Sequence, residues 1–317
     1  MKAVFLDFAT MGPDLSDAPL RELLPDLEVY DNTSDDEIAG RIEGAEFVFA
    51  NKFLFTPEVL DKAGKLRFIG LAATGIDNVD LDGAKSHGVA VANIRAYCTQ
   101  SIVEHVFGTL LMLTHSLHRY NNSVRAGEWQ RSDEFCMLTH PVRELSAMKL
   151  GIVGYGVLGS GVARTAEYFG MDVLVSQRPG FDTTDETRVP FDQVLEQADV
   201  LSLHCPLTDQ TRGLIGENEL KRMKPSAFLI NTARGGLIDA KALVTALEND
   251  EIAGAALDVL EKEPPVAGNP LLDYRGDNLI ITPHIAWATV EARQRALEEM
   301  AANVKAFLDG EERNRVA

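Results

Sequence analysis

Short apolar runs alternate along this 317-residue chain with longer segments whose apolar positions recur at helical spacing. That alternation predicts strands each followed by a helix, the pattern of a parallel α/β sheet rather than of an all-β protein. In the first third the strand candidates are "AVFLDF" (3–8), "FVFA" (47–50), "RFIGLAA" (67–73) and "VAVAN" (89–93). Between them, "DAPLRELLP" and "SDDEIAGRIEG" start with polar residues and continue with helical spacing. "TPEVLDKA" opens with Thr56 as an N-cap and Pro57 at the first helical position.

From Gln100, "SIVEHVFGTLLMLTHSLHRYNNSVRAGEW" carries a long helical pattern into an irregular stretch. A second alternating series starts at "KLGIVGYGVLGSGVARTAEYFG". It continues through "DVLVS", "VPFDQVLEQ", "ADVLSLH", "AFLINT", "LIDAKALVTALEN", "IAGAALDVL" and "NLIITPH". The chain closes on a helical pattern, "WATVEARQRALEEMAANVKAFLDG", stopped by Gly310. No repeat of fixed period accompanies the two series, so they predict two separately wound α/β units.

Composition narrows the class only a little. With 45% hydrophobic and 25% charged residues, the chain is expected to be an ordinary globular protein. Its formal net charge of -18 argues against a sequence-independent grip on nucleic acid or on an anionic membrane. A small anionic substrate is still compatible with it, because a few local arginines outweigh a distant field screened by salt. Cys98, Cys136 and Cys205 are far apart and make no metal-ligand spacing, so no metal is expected and the thiols should be reduced. The start "KAVFLDF" reads as a strand rather than a leader, and the longest apolar run, "VFGTLLMLT" (106–114), is too short to span a bilayer. The expectation is a cytoplasmic protein.

The chemistry begins with Gly154, Gly156 and Gly159 in "KLGIVGYGVLGSGVA", a G-x-G-x-x-G pattern. It directly follows a predicted strand and opens a predicted helix, the context a dinucleotide-binding turn requires. Gly154 permits the tight turn, Gly156 lets backbone approach a pyrophosphate, and Gly159 allows close packing of helix on strand. The helix N-terminus offers oriented N–H groups to the negative charge. Three later stretches each carry one polar residue in a structural setting. In "NTARGGLID", Arg234 follows a strand end, where it can hold a carboxylate with two hydrogen bonds. In "DVLEKEPP", Glu263 precedes Pro264 and Pro265, which restrict the loop. In "IITPHIAWAT", His284 is the natural proton carrier, near Trp287. Taken singly, Arg234 is more often an ion-pair partner and Glu263 a solvated acid, while His284 reads equally well as a packed or capping histidine.

Together they carry more. "GYGVLG", "NTARGGLID", "DVLEKEPP" and "TPHIA", in that order, resemble the D-isomer-specific 2-hydroxyacid dehydrogenases. The similarity extends over essentially the whole chain and includes "ATGIDNVD" (73–80) and "GEW" (127–129). "PHIAWAT" and "ERNRV" are most similar to the glycerate dehydrogenase, or hydroxypyruvate reductase, branch. The resemblance implies two doubly wound, Rossmann-like parallel-sheet domains. Residues 1–98 and 287–317 would form a discontinuous substrate domain, and 99–286 a dinucleotide-binding domain, with substrate in the cleft between them.

It also implies roles. Arg234 would hold the substrate carboxylate and polarise the keto oxygen, His284 would exchange a proton with that oxygen, and Glu263 would pair with and orient the imidazole. The backbone at Thr74 and Gly75 would bind the carboxylate, Asn51 and Lys52 would line the substrate site, and Trp287 would either wall the pocket or fill core space. The cofactor set would comprise Gly154, Gly156, Val157, Leu158, Gly159, Ser176, Gln177, Arg178, Cys205, Pro206, Thr232, Ala233 and Asp258. The stretch 119–148 is similar to the arm through which family members form homodimers. In "VLVSQRPG" (173–180) no carboxylate stands where one would bind the ribose hydroxyls of NAD. Ser176, Gln177 and Arg178 there favour NADP(H), with NAD(H) the alternative. Two other functions use the same scaffold: a formate dehydrogenase, which carries glutamine where Glu263 stands, and a non-enzymatic, dinucleotide-sensing corepressor.

Overall fold

The computed structural model describes residues 1–178, 185 and 187–317; Pro179 and Gly180 of "VLVSQRPG" lie outside the described residues. The chain divides into two compact units, residues 1–98 with 288–317, and residues 99–287.

The first unit holds a five-stranded parallel sheet: β1 (Ala3–Phe5), β2 (Leu27–Val29), β3 (Phe47–Ala50), β4 (Phe68–Leu71) and β5 (Ala90–Ala92), in the order β2-β1-β3-β4-β5. Helices α1 (Ala18–Leu23), α2 (Ile38–Ile42), α3 (Pro57–Lys62) and α4 (Leu81–Ser86) connect the strands. The strands β1, β3, β4 and β5 are buried throughout, which is why they read as unbroken apolar runs rather than as alternation. One face packs Val4, Val48, Ile69 and Val91 against Ile38, Ile42 and Leu60. β2 escaped the sequence pattern because it is a three-residue edge strand with Leu27 alone buried. Thr56 does occupy the N-cap of α3 but does not cap it. Its hydroxyl bonds the Glu58 carboxyl instead and holds that carboxyl below the usual range.

The second unit starts with α5 (Thr99–Thr114) and α6 (Leu117–Arg125). The single long helical pattern is therefore broken. Ser116 adopts a left-handed conformation (φ 50°) and donates its hydroxyl to the Pro141 carbonyl at 2.9 Å. Then follow β6 (Lys149–Val153), α7 (Val157–Tyr168), β7 (Asp172–Val175), α8 (Phe191–Gln197), β8 (Val200–Leu203) and α9 (Glu217–Arg222). The unit continues with β9 (Phe228–Asn231), α10 (Ala240–Glu248), β10 (Gly254–Leu257), α11 (Pro270–Asp273) and β11 (Leu279–Ile281). The strands form one parallel sheet in the order β11-β10-β9-β8-β6-β7. Val153, Val194, Leu201, Leu229, Leu243 and Leu257 belong to the core of one face.

The order reverses at β6, so the chain leaves β6 toward β7 on one side and returns to β8 on the other. This topological switch opens a crevice beyond the carboxyl ends of the strands, where open α/β sheets bind ligands. Finally α12 (Val290–Leu308), capped by the Thr289 hydroxyl, belongs to the first unit, where Phe307 packs on Phe47 and Phe68. Among the described residues no helix is long and apolar enough to cross a membrane.

Candidate active site

The candidates of the second unit stand in the loops that follow the carboxyl ends of its strands or, for Val157, Leu158 and Gly159, in the first turn of α7. After β6, Gly154 takes φ 95°, and a side chain there would come within 2.5 Å of the Cys205 backbone nitrogen. A Cβ on Gly159 would stand 2.0 Å from the Gly154 carbonyl oxygen, so the first turn of α7 can close on the strand end only without one. Among the described residues, a Cβ on Gly156 would meet nothing within 4 Å, and no side chain caps α7. The first-turn N–H groups of α7 have no acceptor within the helix. Val157 at that turn is exposed and Leu158 half-buried.

At the end of β7, Ser176 is buried and its hydroxyl donates to the Gln177 carbonyl at 2.7 Å. To reach a phosphate it would have to rotate away from that bond. Gln177 is half-buried and Arg178 exposed. The Ser176–Val189 bridge sets Arg188 alongside, its guanidinium 4.9 Å from the centre of the Tyr155 ring in the glycine turn. Sequence reading overlooked Arg188, since nothing in the chain signals a contact across thirty-odd residues. After β8, Cys205 is buried, which raises its thiol pKa, and Pro206 is exposed.

The turn after β9 is built by Asn231, a fully buried residue that sequence reading also missed. Its amide oxygen accepts the Ala233 N–H at 3.0 Å, and its amide nitrogen donates to the Arg234 carbonyl at 2.8 Å. Thr232 Oγ1, in the same turn, is buried and has no hydrogen-bond partner among the described residues. A buried hydroxyl in that state is costly, and a polar ligand group would relieve it. Gly235 brings the arginine turn against the next loop, for a Cβ there would overlap the Leu260–Glu261 peptide.

Glu263 in that loop is held by one oxygen and used by the other. Oε1 accepts the Leu260 N–H at 2.7 Å, and Oε2 lies 2.5 Å from His284 Nδ1. The carboxylate accepts a hydrogen bond from Nδ1–H, which leaves Nε2 as the nitrogen for proton exchange. His284 itself has φ 57°, strained for a non-glycine residue. Asp258, almost wholly buried, over-determines this turn. Its backbone carbonyl accepts the His284 N–H at 2.9 Å, and its carboxylate accepts the Ile285 N–H at 2.9 Å and the Ala286 N–H at 2.8 Å. Trp287 Nε1 donates to the His284 carbonyl at 3.0 Å, fixing the far end. Among the described residues no cluster of three His, Cys, Asp or Glu side chains could hold a metal.

In the first unit, Asn51 is buried and its amide donates to Thr10 at 3.1 Å, while Lys52 is exposed. Their turn is organised by Asp7, which sequence reading missed. One carboxylate accepts the N–H groups of Asn51 at 2.9 Å, Lys52 at 2.6 Å and Phe53 at 3.0 Å. The Thr74 hydroxyl donates to the Ile94 carbonyl, and Asn93 supports the Thr74 carbonyl, both at 2.8 Å, beside Gly75.

Known proteins are similar to this chain in sequence and in fold. The family profile "D-isomer specific 2-hydroxyacid dehydrogenase, NAD binding domain" matches residues 107–286. A glycerate dehydrogenase of Methylorubrum extorquens is 42% identical, covering 99% of this chain and 98% of its own. A hydroxypyruvate reductase of Blautia hydrogenotrophica is 37% identical, covering 98% of both chains. The D-lactate dehydrogenase of Aquifex aeolicus, solved with NAD and lactic acid, superposes with a TM-score of 0.81 at 33% identity, covering 98% of this chain and 96% of its own. The glycine turn, the Glu263–His284 pair and these whole-length similarities agree, and this chain belongs to the D-isomer-specific 2-hydroxyacid dehydrogenase family.

Proposed function

We propose that the protein reduces a small 2-keto acid, hydroxypyruvate or glyoxylate, to D-glycerate or glycolate, with NADP(H) as its preferred cofactor. The observation that carries this reading is the Glu263–His284 pair at 2.5 Å, set on a turn that six backbone and side-chain hydrogen bonds hold still. The relatives named glycerate dehydrogenase and hydroxypyruvate reductase support the substrate class.

The residues present fit a dinucleotide: the α7 N-terminus and its glycines would hold the pyrophosphate, and the orphaned Thr232 hydroxyl would meet a polar group of the cofactor. When bound, the nicotinamide supplies the hydride that reaches the keto carbon. Arg234 binds the substrate carboxylate, and its positive charge favours the oxyanion as it forms. His284 Nε2 gives that oxygen a proton, and the Glu263 carboxylate offsets the imidazolium charge beforehand and fixes the ring's direction. In the reverse direction the neutral imidazole takes the proton back. By the family resemblance, Thr74 and Gly75 would offer backbone N–H groups to a carboxylate, and Asn51, Lys52 and Trp287 would be substrate-site residues. The residue types Ser176, Gln177 and Arg178 at the end of β7, where a carboxylate would bind the ribose hydroxyls of NAD, support NADP(H) over NAD(H). Exposed Trp129, Phe135 and Leu138 support a homodimer formed through the 119–148 arm.

The test follows loss of reduced-nicotinamide absorbance with hydroxypyruvate and glyoxylate, using NADH and NADPH in turn, and its formation with formate. Turnover of a 2-keto acid that His284→Gln lowers by at least a hundredfold, with cofactor affinity retained, is the expected result. Turnover of formate alone, or of none of the three, would sink the proposal.

A further inference from the structure

Behind the catalytic turn lies a residue of α5 that no role above uses. His105 Nε2 stands 3.1 Å from the Thr282 hydroxyl, which in turn stands 2.5 Å from Asp258 Oδ1. A threonine hydroxyl has one hydrogen, and the carboxylate oxygen is the acceptor at the shorter distance. The hydroxyl therefore donates to Asp258 and must accept from the imidazole, which fixes the His105 proton on Nε2. The result is a directed chain, from the His105 N–H to the Thr282 hydroxyl to the Asp258 carboxylate. That same carboxylate receives the Ile285 and Ala286 N–H groups, and Asp258 accepts the His284 N–H through its backbone carbonyl. One helical turn before His105, Ser101 of α5 donates its hydroxyl to the Ala286 carbonyl at 2.6 Å. Helix α5 thus grips residues 282–286 at two points, 177 and 185 positions away in sequence. The grip matters because His284 sits at φ 57°, a conformation that persists only where the surroundings over-determine it. Burial lowers the His105 pKa, which keeps the ring neutral and able to serve as a single-proton donor here.

We propose that His105 is a positioning residue for His284, the donor end of a hydrogen-bond chain through Thr282 and Asp258 that holds the acid–base turn in its reactive geometry. This rests on the reading of His284 as the proton carrier. Loss of the donor lets the turn relax, and a small misplacement of a reacting group is expensive in rate while leaving cofactor binding untouched.

Two substitutions separate the roles. His105→Gln retains an N–H donor near the position of Nε2, whereas His105→Leu fills similar space without one. With hydroxypyruvate as substrate, His105→Leu is expected to lower kcat about tenfold. The KM for the reduced nicotinamide should stay within about twofold, and His105→Gln should recover kcat to within about threefold of the parent. A normal kcat in His105→Leu, or equal impairment in both variants, would overturn the proposal. Should His105→Leu fail to fold by circular dichroism, Thr282→Val interrupts the chain at its middle and must show the same loss in kcat; normal turnover there overturns it equally. His284→Gln runs beside them as the discriminator. If it is inactive while His105→Leu is normal, the positioning role alone fails; if it turns over like the parent, the catalytic reading fails and takes this inference with it.

Discussion

His204 directly follows β8 and lies against the glycine turn, and its titration should set the acid limit of the second unit. Its backbone N–H donates to the Val153 carbonyl at 2.7 Å, and its ring lies 2.9 Å from the hydroxyl of fully buried Ser202. Although His204 keeps some exposed surface, the protein packed around it pushes its pKa from 6.5 down to about 4. Below pH 6.5 an unfolded chain takes up this proton, whereas the folded chain resists it until about pH 4. The unfolded state then binds more protons, so stability is complete above pH 6.5 and drains away as the pH falls toward 4. The full displacement corresponds to at most about 3 kcal/mol, and the part lost between pH 7 and pH 5 to about 2 kcal/mol. Urea unfolding followed by tryptophan fluorescence reads this unit selectively, because Trp129 and Trp287 both lie within residues 99–287. His204→Gln cannot titrate and should lose about 2 kcal/mol less than the parent between those two pH values. Other carboxylates and histidines contribute equally to both proteins and cancel in the difference. An identical pH dependence in parent and variant would refute the reasoning.

Three further outcomes are expected. Arg178→Ala should lower kcat/KM for NADPH roughly ten- to a hundredfold, the worth of a charge-assisted hydrogen bond, and leave NADH within about threefold; equal losses with both cofactors would remove Arg178 from the phosphate site. Gly159→Ala places a methyl 2.0 Å from the Gly154 carbonyl oxygen and should weaken NADPH binding by at least about tenfold in a fluorescence titration, whereas unchanged affinity would show that the turn can open without consequence. Asp7→Ala strips the acceptor from three backbone N–H groups and should destabilise the first unit by about 3 kcal/mol, measured by circular dichroism because that unit has no tryptophan; an unchanged melting temperature would mean water replaces the carboxylate at no cost.

Much of this architecture is legible in the chain because its strands are buried on both faces. "FVFA" and "FLIN" become β3 and β9 without a residue exposed, so an apolar run and a strand coincide. The glycine turn is legible for a similar reason: its requirements are local, a φ of 95° at Gly154 and a close approach at Gly159. Edge strand β2 and the break at Ser116 are not, since one buries a single side chain and the other depends on the carbonyl of Pro141, 25 residues away. Thr56 shows the opposite failure, a good cap by type whose hydroxyl was claimed by Glu58.

The sequence by itself carried the α/β class and the position of the glycine turn, because burial pattern and local order hold that information, and its resemblance to a family singled out Arg234, Glu263 and His284 as candidates. The tertiary structure alone decided how those groups are held. Asn231 shapes the arginine turn, Asp7 gathers three N–H groups after β3, and His105 reaches Asp258 through Thr282. Each is an ordinary polar residue whose buried hydrogen-bond partners are brought to it by the winding of the sheet. A polar side chain can be positioned that firmly only where water has been excluded and the donor–acceptor count closes, and that condition is a property of the packed fold.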